Sequence, residues 1–158
     1  MDVDPAYFEE RKEKARALYS AERAIYCPYF ETRVVLNSDG FHHLQFSARR
    51  ERPKREQLLK FRLLPLALQV LRRSGTVQER RETLAPVGRR SPRDGSVPMK
   101  TVLYSGFVAI VGGRNPIRIR VVTRRVGDGN TAFWSVMPDV KIKGGRQKLY
   151  PANIDDEE

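Results

Sequence analysis

Residues 100–137 read KTVLYSGFVAIV, GGRNP, IRIRVVTRRV, GDGN and TAFWSVM in that order. Three segments rich in β-branched and aromatic residues are separated by two short turns that contain glycine and asparagine. Strands joined by such turns form consecutive hairpins. We therefore predict an antiparallel β-meander over residues 100–137, and we expect the rest of the chain to cover it.

The middle segment of this meander alternates apolar and cationic side chains. Ile117 and Ile119 alternate with Arg118 and Arg120, and Arg124 continues the cationic set. Because successive side chains of a strand point to opposite faces, one face is predicted to lie on a core and the other to be solvated. The three arginines are therefore expected to share one open face of the sheet.

Two helices are predicted before the meander. Asp4 and Pro5 have the residue types of an N-cap and a first helical position, and apolar residues recur at helical spacing from there to about residue 25. A longer pattern opens at Pro53 and stops at Gly75, with leucines along one stripe. Pro65 interrupts this second helix, so a kink or a break into two helices is expected there.

The cationic residues of the longer helix fall off its apolar stripe or near its edge. A solvated helix face is the usual origin of such a pattern, so we expect these side chains to be exposed. They are Lys54, Arg55, Lys60, Arg62, Arg72 and Arg73.

Residues 32–46 are predicted to form a separate hairpin. Residues 32–36 are apolar or β-branched, Asn-Ser-Asp-Gly follows as turn chemistry, and residues 41–46 can return as a second strand. On that strand His42 and His43 would point to opposite faces. Residues 76–99 hold five arginines among prolines and glycines and are predicted to form a basic loop, with an edge strand or a helical turn left open for residues 76–84.

The chain of 158 residues contains 30 Lys and Arg against 19 Asp and Glu, a net charge of +11. The excess is concentrated in residues 32–75, with ten basic and three acidic residues, and in residues 100–150, with ten and two. Because Lys and Arg that neutralise phosphates release condensed counterions, this balance favours a nucleic acid, RNA first, as the partner.

Length and composition favour a single α+β domain over residues 1–150, in which the meander packs against the N-terminal helix and the long Pro-interrupted helix. An acidic disordered tail is expected at residues 151–158. The single Cys27 excludes an internal disulfide and favours a reducing compartment. With no leader or long apolar run in the sequence, we expect a cytoplasmic protein without membrane contact.

The two histidines are the first candidates for chemistry. His42 and His43 lie near Arg49 and Arg50, and an imidazole can take or give a proton in phosphodiester cleavage. The alternative is that one is a packed or capping residue and the other a surface residue.

The meander and the segment after it supply the second set of candidates. A row of guanidinium groups can grip successive phosphates, an aromatic ring can stack on a base, and a hydroxyl can hold a phosphoryl oxygen. The alternatives are a strand face without a ligand and a tryptophan that belongs to the core. The candidates are Arg118, Arg120, Arg124, Trp134, Ser135 and Lys141.

No metal or other cofactor is expected. Asp139 and Lys141 have the carboxylate-and-lysine spacing of metal-dependent nucleases, but a divalent cation needs a further carboxylate. The only other acid between Lys100 and Gly145 is Asp128, in a turn.

A helical first half with histidines and arginines, followed by a meander with arginines and a late serine, resembles the barnase, EndoU, colicin and RelE-like group of small ribonucleases. The resemblance implies metal-independent RNA cleavage, in which the ribose 2′-hydroxyl attacks the neighbouring phosphate and leaves a 2′,3′-cyclic end. It implies His42 or His43 as acid or base, Arg120 or Arg124 as the cation that stabilises the transition state, and Ser135 as the phosphate holder. The sequence departs from the group in lacking a glutamate on the meander and in placing both histidines before the long helix.

Toxins of this group are held by an antitoxin, so the resemblance also implies an acidic protein partner. Two other functions fit the same basic face. One is a non-catalytic RNA- or DNA-binding protein, and the other is an assembly protein whose basic surface docks an acidic protein.

Overall fold

Nine elements follow one another along residues 2–139, the part of the chain that the structure, a computed structural model, describes. They are α1 (Pro5–Glu22), β1 (Ala24–Cys27), β2 (Thr32–Val35), α2 (Ser38–Gln45), α3 (Lys54–Arg73), β3 (Glu79–Pro86), β4 (Met99–Val111), β5 (Ile117–Val126) and β6 (Thr131–Pro138). Lys141 and the predicted tail at residues 151–158 lie outside the described residues.

The six strands form one sheet in the order β1-β2-β6-β5-β4-β3. The predicted meander is present as β4, β5 and β6, which pair antiparallel. The sheet as a whole is mixed, because β2 joins β6 in parallel, with Val35 opposite Ala132. The α+β class is thus confirmed, whereas a purely antiparallel sheet is not what the chain forms.

The predicted hairpin over residues 32–46 is wrong, because its second half is helical. β2 pairs with β1 instead, with Ala24 opposite Val35. Asn37 acts as the N-cap of α2, and its side chain accepts a hydrogen bond from the backbone N–H of Gly40 at 2.9 Å. Asn and Ser-Asp-Gly suit a helix start as well as a turn. As a result, the two histidines lie on a helix and not on a strand.

The first helix begins as predicted and ends earlier. The Asp4 side chain accepts from the N–H of Ala6, and Pro5 takes the first helical position. The helix stops at Glu22, because Arg23 adopts a positive φ of 61° and the chain continues as β1. Residues 24–27 therefore belong to the sheet.

The long helix runs without a break from Lys54 to Arg73, with Pro53 as its N-cap. Of the kink or break predicted at Pro65, the break into two helices is wrong. Pro65 is exposed, so its ring faces water, while Leu64 and Leu68 anchor the same turns in the core. Packing of the apolar stripe holds the helix where one backbone hydrogen bond is missing.

The basic segment of residues 76–99 contains an edge strand, which is one of the two alternatives left open by the sequence. β3 pairs antiparallel with β4 along its whole length, with Glu79 opposite Gly106 and Pro86 opposite Met99. Residues 87–98 form neither helix nor strand.

The main core lies between the helices and one face of the sheet. Ile119 and Val121 point into it as the alternation predicts. Its members include Phe61, Leu64, Leu68, Phe107 and Phe133. A smaller apolar cluster, which we call the second-face cluster, consists of Val102, Tyr104, Val122 and Met137. By alternation along β4 and β5 this cluster shares its face with the arginines of β5.

Candidate nucleic-acid interface

One edge of β6 is completed by helix side chains. β2 pairs with β6 only near the start of β6, where Val35 lies opposite Ala132. Farther along β6, side chains of the helices contact its backbone carbonyls. Nδ1 of His43 lies 3.2 Å from the carbonyl oxygen of Trp134, and Lys60 Nζ donates to the carbonyl of Val136 at 2.9 Å. Two strand carbonyls thereby find partners on α2 and α3.

Trp134 is the extra residue of a β-bulge. Val122 pairs with Ser135 and the next residue, Thr123, pairs with Phe133, so Trp134 has no pairing partner on β5. Bulges re-aim side chains relative to the regular alternation. The Trp134 ring consequently contacts both the second-face cluster and α2.

Four side chains, from α2, the turn before α3, β5 and β6, form a continuous set of contacts, which we call the Arg-His-Trp-Arg stack. The rings of His43 and Trp134 stack with centroids 4.1 Å apart and 24° between planes. Arg124 Cζ lies 4.5 Å from the Trp134 ring centroid, within cation–π range. Nη2 of Arg52 lies 3.4 and 3.3 Å from the two imidazole nitrogens of His43, which places it over the face of that ring.

Arg52 is fixed in this stack by its other contacts. Its Nε donates to the His43 carbonyl at 2.9 Å, and its Nη1 pairs with the Glu56 carboxylate at 3.1 Å. Arg52 and His43 are both buried. The predicted acid or base His43 is therefore packed between a guanidinium and an indole.

Lys60 is buried at 2% exposure, which contradicts the predicted solvated position. Its Nζ donates to Ser135 Oγ at 3.0 Å in addition to the Val136 carbonyl. Ser135 is fully buried as well, so the predicted phosphate holder is in contact with an ammonium inside the protein. The signal that indicates this burial is helical spacing, because Lys60 lies three residues after buried Gln57 and four before buried Leu64.

The arginines of β5 share one face, as predicted, but the face is not an open cationic row. Arg120 is buried between Glu79 and Asp139, with its Nη2 3.2 Å from Asp139 Oδ1. Arg118 Nε lies 3.2 Å from the other carboxylate oxygen of Asp139. The expectation of an open row is wrong for these two residues, because carboxylates pair with both of them. No local pattern indicates that Glu79 lies on the neighbouring edge strand. Arg124, over Trp134, is half-buried.

Arg49 and Arg50 lie at the tip of a tight turn that leads into α3. The Ser47 N–H donates to the Arg50 carbonyl at 2.9 Å, and Phe46 and Glu51 form a bridge across the turn. Both arginines are exposed, and neither has an ion-pair partner among residues 2–139. The turn thus presents two guanidinium groups to solvent, two residues before Arg52 of the stack.

His42 and His43 point to different sides of α2. Neighbouring residues of a helix are about 100° apart around its axis. His42 is exposed, and its ring stacks on Phe46 with centroids 4.5 Å apart. The structure therefore separates the histidine pair, with one imidazole in the stack and the other at the surface.

Among residues 2–139 no group of three or more His, Cys, Asp or Glu side chains is arranged to hold a metal ion. No helix in this part of the chain is long and apolar enough to cross a membrane. Comparisons with protein-family models, with curated proteins and with solved structures find no match to this chain.

Proposed function

We propose that the protein binds nucleic acid, with single-stranded RNA as its preferred partner, and that it does so without cutting the strand. The observation that carries this proposal is that the arginines fall into two groups, one buried in ion pairs and one exposed without them. The buried ones, Arg52 and Arg120, are paired with carboxylates, whereas Arg49 and Arg50 are exposed without ion pairs among the described residues. Two adjacent exposed guanidinium groups on a fixed turn can contact successive phosphates.

Single-stranded RNA is favoured because Arg124, at one end of the Arg-His-Trp-Arg stack, offers a guanidinium plane on which a base can stack. Trp134 and Arg124 line a pocket of about 290 Å³ together with the amides of Asn37 and Asn130. Unpaired RNA bases stack on aromatic rings and on guanidinium planes, and their edges accept hydrogen bonds from amides.

Burial of the predicted catalytic groups favours binding alone. His43, Arg120 and Ser135 are all buried, and each contacts protein groups through its polar atoms. A phosphate could reach them only after these contacts broke.

The test is the salt dependence of RNA binding. A fluorescently labelled single-stranded RNA is titrated with the wild-type protein and with the double variant Arg49→Gln/Arg50→Gln at several salt concentrations, and anisotropy is measured. For single strands, the plot of log affinity against log salt has a slope of about −0.7 per phosphate contact. Losing two contacts should therefore make this slope less steep by about 1.4.

A matched control removes two other exposed arginines. Arg33 and Arg73 are exposed. Arg73 is the last residue of α3, a helix of 20 residues and about 30 Å, whereas Arg49 and Arg50 lie before its first turn. Arg33→Gln/Arg73→Gln should leave the slope nearly unchanged. Equal slopes for both double variants, or no RNA binding by the wild type at 50 mM salt, would contradict the proposal.

The second candidate function is metal-independent RNA cleavage, as the resemblance to small ribonucleases implies. The observation that favours it is the exposure of His42 near Arg16 and Arg23, which line the same pocket. RNA is incubated with the protein in EDTA and examined for 2′,3′-cyclic ends. Cleavage that His42→Ala abolishes would support an enzyme, and intact RNA with retained, salt-sensitive binding would support the first proposal.

A further inference from the structure

A pocket of about 450 Å³ lies between α1, the β2–α2 junction and α2, and we call it the α1–α2 pocket. Its floor is apolar and includes the buried side chains of Tyr19, Leu36 and Phe41. The Tyr19 hydroxyl donates to the Asn37 carbonyl at 2.6 Å. Burial, and then the nearby Asp39 carboxylate, raise the pKa of Tyr19 well above its usual value, so the phenol stays neutral.

The rim of this pocket is cationic. Arg16, Arg23 and His42 are exposed there, and the residues that line the pocket within the described part of the chain include no Asp or Glu. Arg16 Cζ lies 5.3 Å from the Phe41 ring, and its pairing with Glu13 is loose, at 3.7 Å between two largely exposed side chains. Such exposed pairs are weak, so Arg16 can turn to a stronger anion.

Arg23, on the rim of this pocket, has a strained backbone conformation. Its φ of 61° lies in the region that favours glycine, yet the residue is an arginine. Hydrogen bonds hold it on both sides, since its N–H donates to the Tyr19 carbonyl at 3.3 Å and its own carbonyl accepts from the Leu36 N–H at 2.8 Å. Strain at a position where glycine would relax it is a feature of functional sites.

We propose that the α1–α2 pocket binds one nucleotide, with the base on the Tyr19 and Phe41 floor and the phosphate between Arg16, Arg23 and His42. The volume is in the range of small-molecule sites, and an apolar concave floor with a few cations at its rim matches a planar base that carries a phosphate.

The α1–α2 pocket is joined to the Arg49–Arg50 turn through α2. Gln45 lines the pocket, and its carbonyl accepts from the Arg52 N–H at 2.8 Å, directly after the turn. A strand whose phosphates contact the turn can therefore place a nearby nucleotide in the pocket. The assignment to RNA rests on the proposed function, whereas the affinity for a base with a phosphate rests on the pocket alone.

The experiment measures binding of 5′-mononucleotides, the matching nucleosides and inorganic phosphate by calorimetry or by NMR titration. Mononucleotides are expected to bind, and nucleosides and phosphate alone are expected to bind about tenfold or more weakly, because each lacks one half of the contacts. Arg23→Gly relaxes the backbone and removes the guanidinium, and it should weaken mononucleotide binding about tenfold or more. Arg16→Gln should act in the same direction, and Arg33→Gln should have no effect.

The two proposals fail in different ways. If an RNA oligonucleotide binds but no mononucleotide does, or if Arg23→Gly and Arg16→Gln bind mononucleotides as the wild type does, the pocket assignment is overturned and RNA binding stands. If mononucleotides bind and oligonucleotides do not, RNA binding fails and the pocket stands. Equal affinity for inorganic phosphate and for mononucleotides would overturn the nucleotide assignment.

Discussion

Replacing Lys60 by methionine tests whether the buried ammonium holds the edge of β6. Methionine has an unbranched stem of similar length, so the variant keeps most of the aliphatic packing and the helix propensity. It removes the hydrogen bonds to Ser135 Oγ at 3.0 Å and to the Val136 carbonyl at 2.9 Å.

The expected loss of unfolding free energy is about 2 kcal/mol. Each hydrogen bond from a charged donor contributes about 1.5–3 kcal/mol, and a buried acceptor without a partner costs about 1–3 kcal/mol. Against this, methionine avoids the desolvation of an ammonium, which is of several kcal/mol. The two acceptors described here, Ser135 Oγ and the Val136 carbonyl, are neutral, so the loss of their donor should cost less than the about 3–5 kcal/mol seen when one member of a buried charge pair is removed.

The assay is urea unfolding followed by circular dichroism for Lys60→Met, Ser135→Ala and the double variant. The two single changes should couple by about 1 kcal/mol, because they remove the same hydrogen bond. Arg62→Met, at an exposed position of the same helix, is the control and should stay within about 0.5 kcal/mol of the wild type. A Lys60→Met variant at least as stable as the wild type would refute the reasoning, since desolvation would then outweigh both hydrogen bonds.

Three further predictions concern packing, backbone strain and burial. Gly40→Ala should destabilise by about 2 kcal/mol or more in urea unfolding, because its Cβ would clash with the Phe133 carbonyl oxygen, whereas Gly75→Ala meets nothing within 4 Å and should be near neutral. Arg23→Gly should raise the unfolding free energy by about 1 kcal/mol by relieving its positive φ, and an unchanged or lower value would contradict the strain. Burial raises the pKa of the Cys27 thiol, so iodoacetamide should label it slowly in the native protein and rapidly in urea; equal rates would contradict its burial.

The parts of the fold that sequence predicts well are those set by neighbours in the chain. The cap at Asp4, the start of α3 after Pro53 and the turns of the meander all follow from local residue types, and they are present. The hairpin expected after Asn37 is wrong, because the residues there suit a turn and a helix start equally. β2 pairs with β1, so it does not need residues 41–46 as a strand partner, and these residues are free to form α2.

The candidate site is less predictable, because its decisive contacts join distant parts of the chain. Lys60 and Ser135 are 75 residues apart, and nothing local to either residue indicates the other. The same holds for Arg120 and Glu79, whose pairing needs β3 to lie on the edge of the sheet. The alternation of side chains along a strand correctly predicts which face of the sheet an arginine occupies. It does not indicate whether a carboxylate from another strand pairs with that arginine.

Because α2 places the two histidines in different surroundings, their substitutions should have different effects. His43 stacks on Trp134 and contacts Arg52, so His43→Ala should lower the unfolding free energy by about 2 kcal/mol and disturb the tryptophan fluorescence. His42 is exposed at the α1–α2 pocket, so His42→Ala should change stability by less than about 0.5 kcal/mol and should weaken mononucleotide binding. Equal effects of the two substitutions on stability and on binding would mean that both imidazoles serve one site, and α2 would then not divide the stack from the pocket.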